Sequence, residues 1–414
     1  MRRPIPSGHD HVPAPLETPS LSLREGAFPL DPAIHRCRLS PVVAQGDPVS
    51  LGQTLARCDS LSLHASVSGR VTIRNDSEIV VAAEPDKPSA SAFPAVVPPA
   101  EPDDWPAFLA DMGLVGMGGS MFPASIKFRA AASIHTLVVN AVECEPGVGI
   151  DEALLAHAPE PVAAGLEALA QAYAIRRTVL AVKRGSRARL PATPNGPQAE
   201  RLAMPARYPA GAEKLILWKI AGRRPPTGTL PVQWGVLVTS VASLWALGRR
   251  LLEGRPSLDR PLSVIAPGVR RNFVVPVGVP VRAVLDAAGA LPASPDTIVV
   301  AGGLMMGRQI ALESPVLKGT LALFVLAPGQ RWRRSEAPCI LCGACFDACP
   351  LGLHPIGMAT RIRERQPSPA LEAQLDECFL CGACSAVCPA DIRLVQSFRE
   401  GKLWIKQRTS SNPS

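Results

Sequence analysis

CILCGACFDACP (residues 339–350) is answered 39 residues later by CFLCGACSAVCP (residues 378–389), so eight of the eleven cysteines stand in two copies of one pattern, C-x2-C-x2-C-x3-C-P. This is the run that ligates four-iron four-sulfur clusters in bacterial ferredoxins. Two intervening residues let successive thiolates reach neighbouring irons from one tight loop, whose backbone N–H groups point at the sulfides, and the proline then turns the chain away. In two-cluster ferredoxins the fourth cysteine of each run serves the other cluster. The expectation is therefore Cys339, Cys342, Cys345 and Cys388 on one cluster, and Cys378, Cys381, Cys384 and Cys349 on the second. A zinc site typically uses paired CxxC units and four ligands in total, and a disulfide framework suits small secreted chains rather than one of 414 residues. Residues 331–414 thus read as a ferredoxin-like helical domain with two clusters, its helices near Ile356 to Arg365 and Arg393 to Lys402. Its small apolar content makes metal binding part of its folding. The remaining Cys37, Cys58 and Cys144 are scattered and read as ordinary small apolar residues.

Working outward, the length allows about three domains. The predicted class is multidomain α/β plus α+β. Residues 1–84 contain short β segments with turns at Gly46-Asp47 and Gly69, an all-β unit resembling barrel-sandwich domains. No lysine stands at the expected hairpin tip, which argues against a swinging-arm cofactor. Residues 85–104, rich in Pro, Ala and Ser, read as a linker. In residues 105–260 apolar strand-like runs (Thr136 to Asn140, Thr178 to Val182, Gly235 to Val238) alternate with helices near Pro159 to Tyr173 and Gly211 to Ile220. That alternation argues for a largely parallel α/β layer, with Val162, Leu166, Leu169 and Tyr173 on one helical face. Residues 261–330 read β-β-α-β, a β-grasp-like module.

The formal charge is +8. Basic residues gather near and beyond the cysteines (Arg331, Arg333, Arg334, Arg361, Arg363, Arg365, Arg393, Arg399, Lys402, Lys406, Arg408), either as a solvated surface or as a face for an anionic lipid or acidic redox partner. No aromatic-interleaved basic motif accompanies them, which argues against nucleic acid. No apolar stretch approaches the roughly 18 residues of a bilayer span, and the start MRRPIPSGHD lacks a signal-peptide core, so no transmembrane segment of its own and a cytoplasmic location are expected.

Two further segments carry chemistry. In Gly116-Met117-Gly118-Gly119-Ser120-Met121-Phe122-Pro123, followed by Lys127, the glycines are either a structural turn or a cradle whose amides and lysine hold a phosphate. The order of loop and strand is not that of a Rossmann fingerprint, and nothing matches a Walker loop. After the strand, Asn140-Ala141-Val142-Glu143-Cys144-Glu145-Pro146 places Glu143 and Glu145 either in a site or as caps of the next helix.

GLVGMGGSMFPASIKF and VVNAVECEPGVGIDE, followed by YPAGAEKLILWKIAGRRPPTGTLPVQWGVLVTSV and the paired cysteine runs, resemble the C subunit of the Rnf electron transport complex. They resemble more distantly the NADH-binding flavoprotein subunit of respiratory complex I. Cobalamin reductases share the central motifs, and the N-terminal sandwich favours the Rnf protein. The resemblance covers nearly the whole chain. It implies FMN held in a pocket facing NADH, with Gly116, Gly118, Gly119, Phe122 and Lys127 on one wall, Asn140, Glu143 and Glu145 on another, and Glu213 beside them. It also implies part of an NADH:ferredoxin-type oxidoreductase whose other subunits, in a membrane complex, couple electron transfer to ion movement. A ferredoxin-like redox partner and a peripheral position on the cytoplasmic face of the inner membrane follow from the same likeness. The chain departs from the family where Met121 replaces a glycine expected against the flavin, and where Ser240 and Ser243 replace an amide and a threonine. Those departures motivate the alternatives: an electron-relay or assembly subunit that keeps the clusters without NADH or flavin, or a cobalamin reductase-like flavoprotein.

Overall fold

The structure, a computed structural model, describes residues 14–21, 24–84, 93–129, 134–193, 198–292, 294, 296–327, 330 and 335–411. The chain start, residues 85–92 of the expected linker, and Arg331, Arg333 and Arg334 lie outside the described residues.

The fold is mixed α/β. Its centre is a four-stranded parallel sheet in the order Glu200–Met204, Arg177–Lys183, Thr136–Ala141, Val236–Ser240. Both faces are covered, which is why its strands read as continuous apolar runs rather than alternating ones. Leu137 and Val139 face the helices Pro159–Ala172 and Val241–Glu253, and Val138 faces the helix Glu213–Ala221. Val162, Leu166, Leu169 and Tyr173 are all buried on the first of these helices, as their spacing requires. The pair of helices crosses closely because Gly165 and Gly248 meet at the contact. A Cβ on Gly248 would stand 1.7 Å from the Pro161 carbonyl oxygen, so no other residue fits without moving the backbone.

Two antiparallel sheets enclose the first core. One holds Glu25–Pro29, Glu78–Ala83, Gly69–Arg74 and Pro48–Val49, the other Ser40–Pro41, Thr54–Cys58 and Leu61–His64. Phe28, Leu55, Leu63, Val71 and Ile79 fill the space between. From Phe93 the chain runs along the end of the helix Val241–Glu253, where Val96 N donates to Leu251 O (3.4 Å).

Asp259–Ala266, Val269–Pro276, the helix Val281–Ala287, Val299–Ala301, Arg308–Ile310 and Ala322–Val325 make a third unit, its sheet backed by Val281, Val284 and Leu285. The edge of that sheet is Leu16–Glu17, which pairs in parallel with Asn272 and Phe273. The sequence reading placed these two residues with the N-terminal sandwich. A two-residue strand carries no period, and what fixes it is long-range, with Glu17 accepting from Arg271 Nε (2.9 Å). The C-terminal part is helical, with Pro355–Arg363, Pro369–Glu377 and Leu394–Ser411 around Leu351, Met358, Leu371 and Phe398.

Candidate functional site

The parallel sheet changes direction at Thr136–Ala141. The chain winds outward from it to Arg177–Lys183 and Glu200–Met204, then returns to place Val236–Ser240 on its other side. The crevice beyond the carboxyl ends of those two central strands, at Asn140 and Ser240, is where open α/β sheets bind ligands.

The glycine loop closes over that point. Gly116 N donates to Phe122 O (2.8 Å) and Met121 N to Gly116 O (3.2 Å), so the Gly116 amide is consumed by the turn and is not available to a phosphate, contrary to expectation. Met117 N donates to Ser243 Oγ (3.2 Å), and Ser243 in turn meets Ser240 Oγ, the N-cap of Val241–Glu253 (2.9 Å). The two serines that replace the family's amide and threonine therefore tie the loop to the helix. Among the described residues the amides of Gly118, Gly119 and Ser120 have no protein partner and lie exposed, which suits an anion cradle. Lys127 Nζ reaches the same end of the sheet, donating to Val238 O (2.5 Å) and pairing with Glu213.

Met121 lines the opening beside Gly119 and Ser120 but packs its side chain on the N-terminal sheet, whereas its position in the motif led us to expect it at the end of the central sheet. It adopts a left-handed φ of 54° and packs with Leu61 and Val115, its side chain lying over Gly319, where a Cβ would come within 2.5 Å of it. The N-terminal sheet supplies the apolar surface that draws it there, information absent from the local sequence.

The acidic loop divides its work. Glu143 caps the helix Ile150–His157, accepting from Asp151 N (2.7 Å) and Glu152 N (3.3 Å). Burial, and next the buried Asp151 carboxyl, hold it well above the usual carboxylate range. Glu145 instead reaches the third unit, accepting from Met305 N (3.3 Å) and filling the space above Gly303. Burial pushes it up to about 7. Asn140 joins two loops, donating to Gly211 O (2.9 Å) and accepting from Val142 N (3.0 Å). Phe122 lies under the guanidinium of Arg36 (6.0 Å to the ring centre).

The cysteine runs follow one backbone course. Leu341 and Leu380 both take left-handed φ (52° and 58°), as do Gly343 and Gly382 (75° and 82°). Leu341 N donates to Cys339 Sγ (3.4 Å) and Leu353 N to Cys349 Sγ (3.3 Å), the amide-to-sulfur contacts expected of a cluster loop. Burial raises the thiols of Cys378, Cys381 and Cys384, and Cys349 adds to the shift in all three; burial likewise raises Cys345, where the added thiol is Cys388. The fourth cysteine of each run thus faces the other run. Among the described residues no three His, Cys, Asp or Glu side chains close on a single metal ion.

Between crevice and cysteines lies a link that the sequence reading missed. Tyr208 Oη donates to Cys381 O (2.5 Å), Lys214 Nζ to Glu377 O (3.1 Å), and Arg224 pairs with Glu377 (3.1 Å) while donating to Leu351 O (2.6 Å). Tyr208 and Lys214 flank the Gly211 and Glu213 of the crevice, so one segment, 208–214, touches both places. Nothing in its spacing marks it.

Residues 109–249 match the family described as Nuo51 FMN-binding domain, and residues 338–392 the family described as 4Fe-4S dicluster domain. Fold and site together define a flavin-type α/β domain joined to a two-cluster ferredoxin domain. The C subunit of the ion-translocating oxidoreductase complex of Rhodobacter capsulatus is 32% identical, over 98% of this chain and 83% of its own length. The C subunit of the Na(+)-translocating ferredoxin:NAD(+) oxidoreductase complex of Acetobacterium woodii is 29% identical over 77% of each chain. The corresponding protein of Edwardsiella ictaluri is 30% identical over 88% of this chain and 48% of its own. The chain belongs to the family formed by the C subunits of ion-translocating oxidoreductase complexes. No helix among its described residues is long and apolar enough to cross a membrane.

Proposed function

We propose that this protein is the electron-input subunit of an Rnf-type membrane complex, moving electrons between NADH and a ferredoxin-type partner. The observation that carries the reading is the 208–214 segment, which touches Cys381 at one end and the Lys127–Glu213 pair at the other. Flavin supplies the conversion of a two-electron hydride donor into the single electrons that a cluster accepts. The residues that would hold it are the free amides of Gly118, Gly119 and Ser120 together with Lys127, with Glu213 orienting the lysine. Asn140 fixes the loops on either side. Glu145 sets the third unit against the crevice and so limits the entry of water. Cys339, Cys342, Cys345 and Cys388 would hold one cluster; Cys378, Cys381, Cys384 and Cys349 the other.

In this reading residues 1–84 are a barrel-sandwich-like unit, apart from the Leu16–Glu17 strand. Residues 85–104 are a linker, 105–260 the FMN and NADH domain, 261–330 a β-grasp-like module and 331–414 the cluster domain. The protein sits peripherally on the cytoplasmic face of the membrane, held by partner subunits. Anaerobic purification with released flavin and iron quantified, followed by NADH addition, tests the reading. Bound FMN and bleaching of cluster absorbance by NADH are expected. Clusters without flavin and without bleaching would leave the relay alternative, for which the engaged Ser240 and Ser243 hydroxyls argue.

A further inference from the structure

Arg260, the second residue of the strand Asp259–Ala266, is fully buried, a rare place for a guanidinium. Its hydrogen bonds all end on backbone carbonyls. Nε donates to Thr320 O (2.9 Å), and Nη1 donates to Lys318 O (2.9 Å) and to Met117 O. Nη2 has no partner among the described residues. The acid whose charge acts on Arg260 is Asp151, and that carboxyl already accepts from Ala242 N (3.2 Å) near the start of the helix Val241–Glu253. Burial lowers the Arg260 pKa to about 10, so the group stays charged at neutral pH. A side chain kept for packing alone would be apolar here, because well-packed apolar replacements of buried ions are often neutral or stabilising.

What this charge holds is the glycine loop. The Met117–Gly118 peptide is trans, and in a trans peptide the C=O and the following N–H point in opposite directions. Fixing Met117 O on a buried guanidinium therefore aims the Gly118 N–H away from the interior. Gly118 is exposed, its N–H has no protein partner among the described residues, and a Cβ on it would lie 3.9 Å from Ser240 Cβ, at the carboxyl end of the strand Val236–Ser240. The peptide on the other side of Met117 is held as well, since Met117 N donates to Ser243 Oγ (3.2 Å). Lys318 extends the support. Its buried Nζ donates to Gly113 O (2.6 Å), just before the loop, while its own carbonyl accepts from Arg260.

We infer that, given the flavin reading of the crevice, Arg260 is a positioning residue for the phosphate of the bound flavin nucleotide. Being fully buried, it acts through the Met117–Gly118 peptide, turning the Gly118 N–H toward the crevice and holding it there before any ligand arrives. A donor fixed in advance costs no reorganisation on binding, and a positive charge behind the peptide favours an anion in front of it. Arg260 stands 143 positions from Met117 in the chain and belongs to the third unit, so that unit shapes the anion cradle as well as flanking it.

The full chain, with its clusters loaded and its flavin removed, is titrated anaerobically with FMN and with riboflavin, which carries the same ring without the phosphate. Quenching of flavin fluorescence reads both affinities, and iron content reports whether the fold is intact. The unmodified protein is expected to prefer FMN. Arg260→Gln should cut that preference about tenfold, the lower end of what one hydrogen bond to a charged group contributes, while riboflavin affinity stays within about twofold. Arg260→Lys keeps a cation but cannot reach three carbonyls from one fork, so it should lose part of the preference. It carries the comparison where Arg260→Gln fails to hold its iron. An unchanged preference for FMN overturns the inference, as does an equal loss of FMN and riboflavin affinity, the mark of general damage to the crevice. Unmodified protein that binds riboflavin as tightly as FMN also overturns it, with the flavin reading intact. Unmodified protein that binds neither defeats the flavin reading, and the role of Arg260 with it.

Discussion

The two cysteine runs share their spacing and the left-handed turns at Leu341 and Leu380, and they differ in what covers them. In the first run Cys339 and Cys342 are exposed, and the intervening Ile340 and Leu341 are 65% and 83% exposed, with Phe346 at 49%. In the second, Phe379 and Leu380 occupy the same motif positions and pack into the helical core, and Cys384 is buried. Gly382 there lies against the third unit, where a Cβ would come within 2.3 Å of the Met306 sulfur, and Tyr208 holds the Cys381 carbonyl. One motif fixes the donor set. Its neighbours make the difference, with the inner run against the flavin-type domain and the third unit, and the outer run leaving Ile340, Leu341 and Phe346 exposed.

The largest break in this symmetry comes from removing ligands. Cys381→Ala and Cys349→Ala should behave as one class and Cys342→Ala and Cys388→Ala as the other, each losing about half the iron of a two-cluster protein, because the fourth ligand of each run serves the opposite cluster. Both classes should expose residues 335–411 to proteolysis, since metal binding supports the fold. Iron analysis and electron paramagnetic resonance distinguish the classes. If Cys349→Ala groups with Cys342→Ala, the crossing is wrong.

Lys127→Ala acts on the inner side alone. A charge-assisted hydrogen bond contributes roughly 1.5–3 kcal/mol, so flavin affinity should fall about tenfold to hundredfold with iron content unchanged. Fluorescence of released flavin against iron is the measurement. Flavin retention equal to wild type would remove Lys127 from the crevice.

What the sequence could show was local. The cysteine spacing, the strand and helix runs from Thr136 to Val238, and the face Val162–Leu166–Leu169–Tyr173 each depend on residues a few positions apart. The glycine loop was visible as a loop, but its division of labour was not. Gly116 closes the turn while Gly118 and Gly119 stay open, and Ser243, 126 residues from Met117, supplies the hydroxyl. Glu143 and Glu145 are two residues apart and look interchangeable. One caps its own helix and the other crosses to Met305, a distinction only the packed third unit creates.

Met121→Gly separates motif from packing. Losing a buried methionine side chain costs about 2–5 kcal/mol, while glycine at a left-handed φ returns roughly 1–2 kcal/mol. A net loss of stability in chemical denaturation, with flavin content unchanged, is expected. A gain in flavin affinity would put the side chain in the crevice after all.

Glu145 makes the inner contact pH-dependent. Its folded pKa of about 7 lies above its unfolded value of 4.5, so the native state binds the extra proton. Stability attributable to this group should therefore fall as pH rises from about 4.5 to about 7 and then level off. Glu145→Gln should flatten that slope without altering the outer run, as read by denaturation midpoints across the window. An unchanged slope would assign the pH dependence elsewhere.

The smallest effect is the sharpest test of the asymmetry. Tyr208→Phe deletes one hydroxyl that donates to the Cys381 carbonyl and leaves the ring in place. A hydrogen bond of this kind contributes about 1 kcal/mol net, so the loss should stay near that value. Phe346→Ala, in the outer run and exposed, should change stability by no more than about 0.5 kcal/mol. Its effect should fall instead on electron delivery to an added ferredoxin-type acceptor. Tyr208→Phe should slow reduction of the inner cluster by NADH and leave the acceptor reaction of chemically pre-reduced protein untouched. Should the two variants affect the same step to the same degree, the runs would be interchangeable in function as they are in spacing, and the difference in their surroundings would carry no direction.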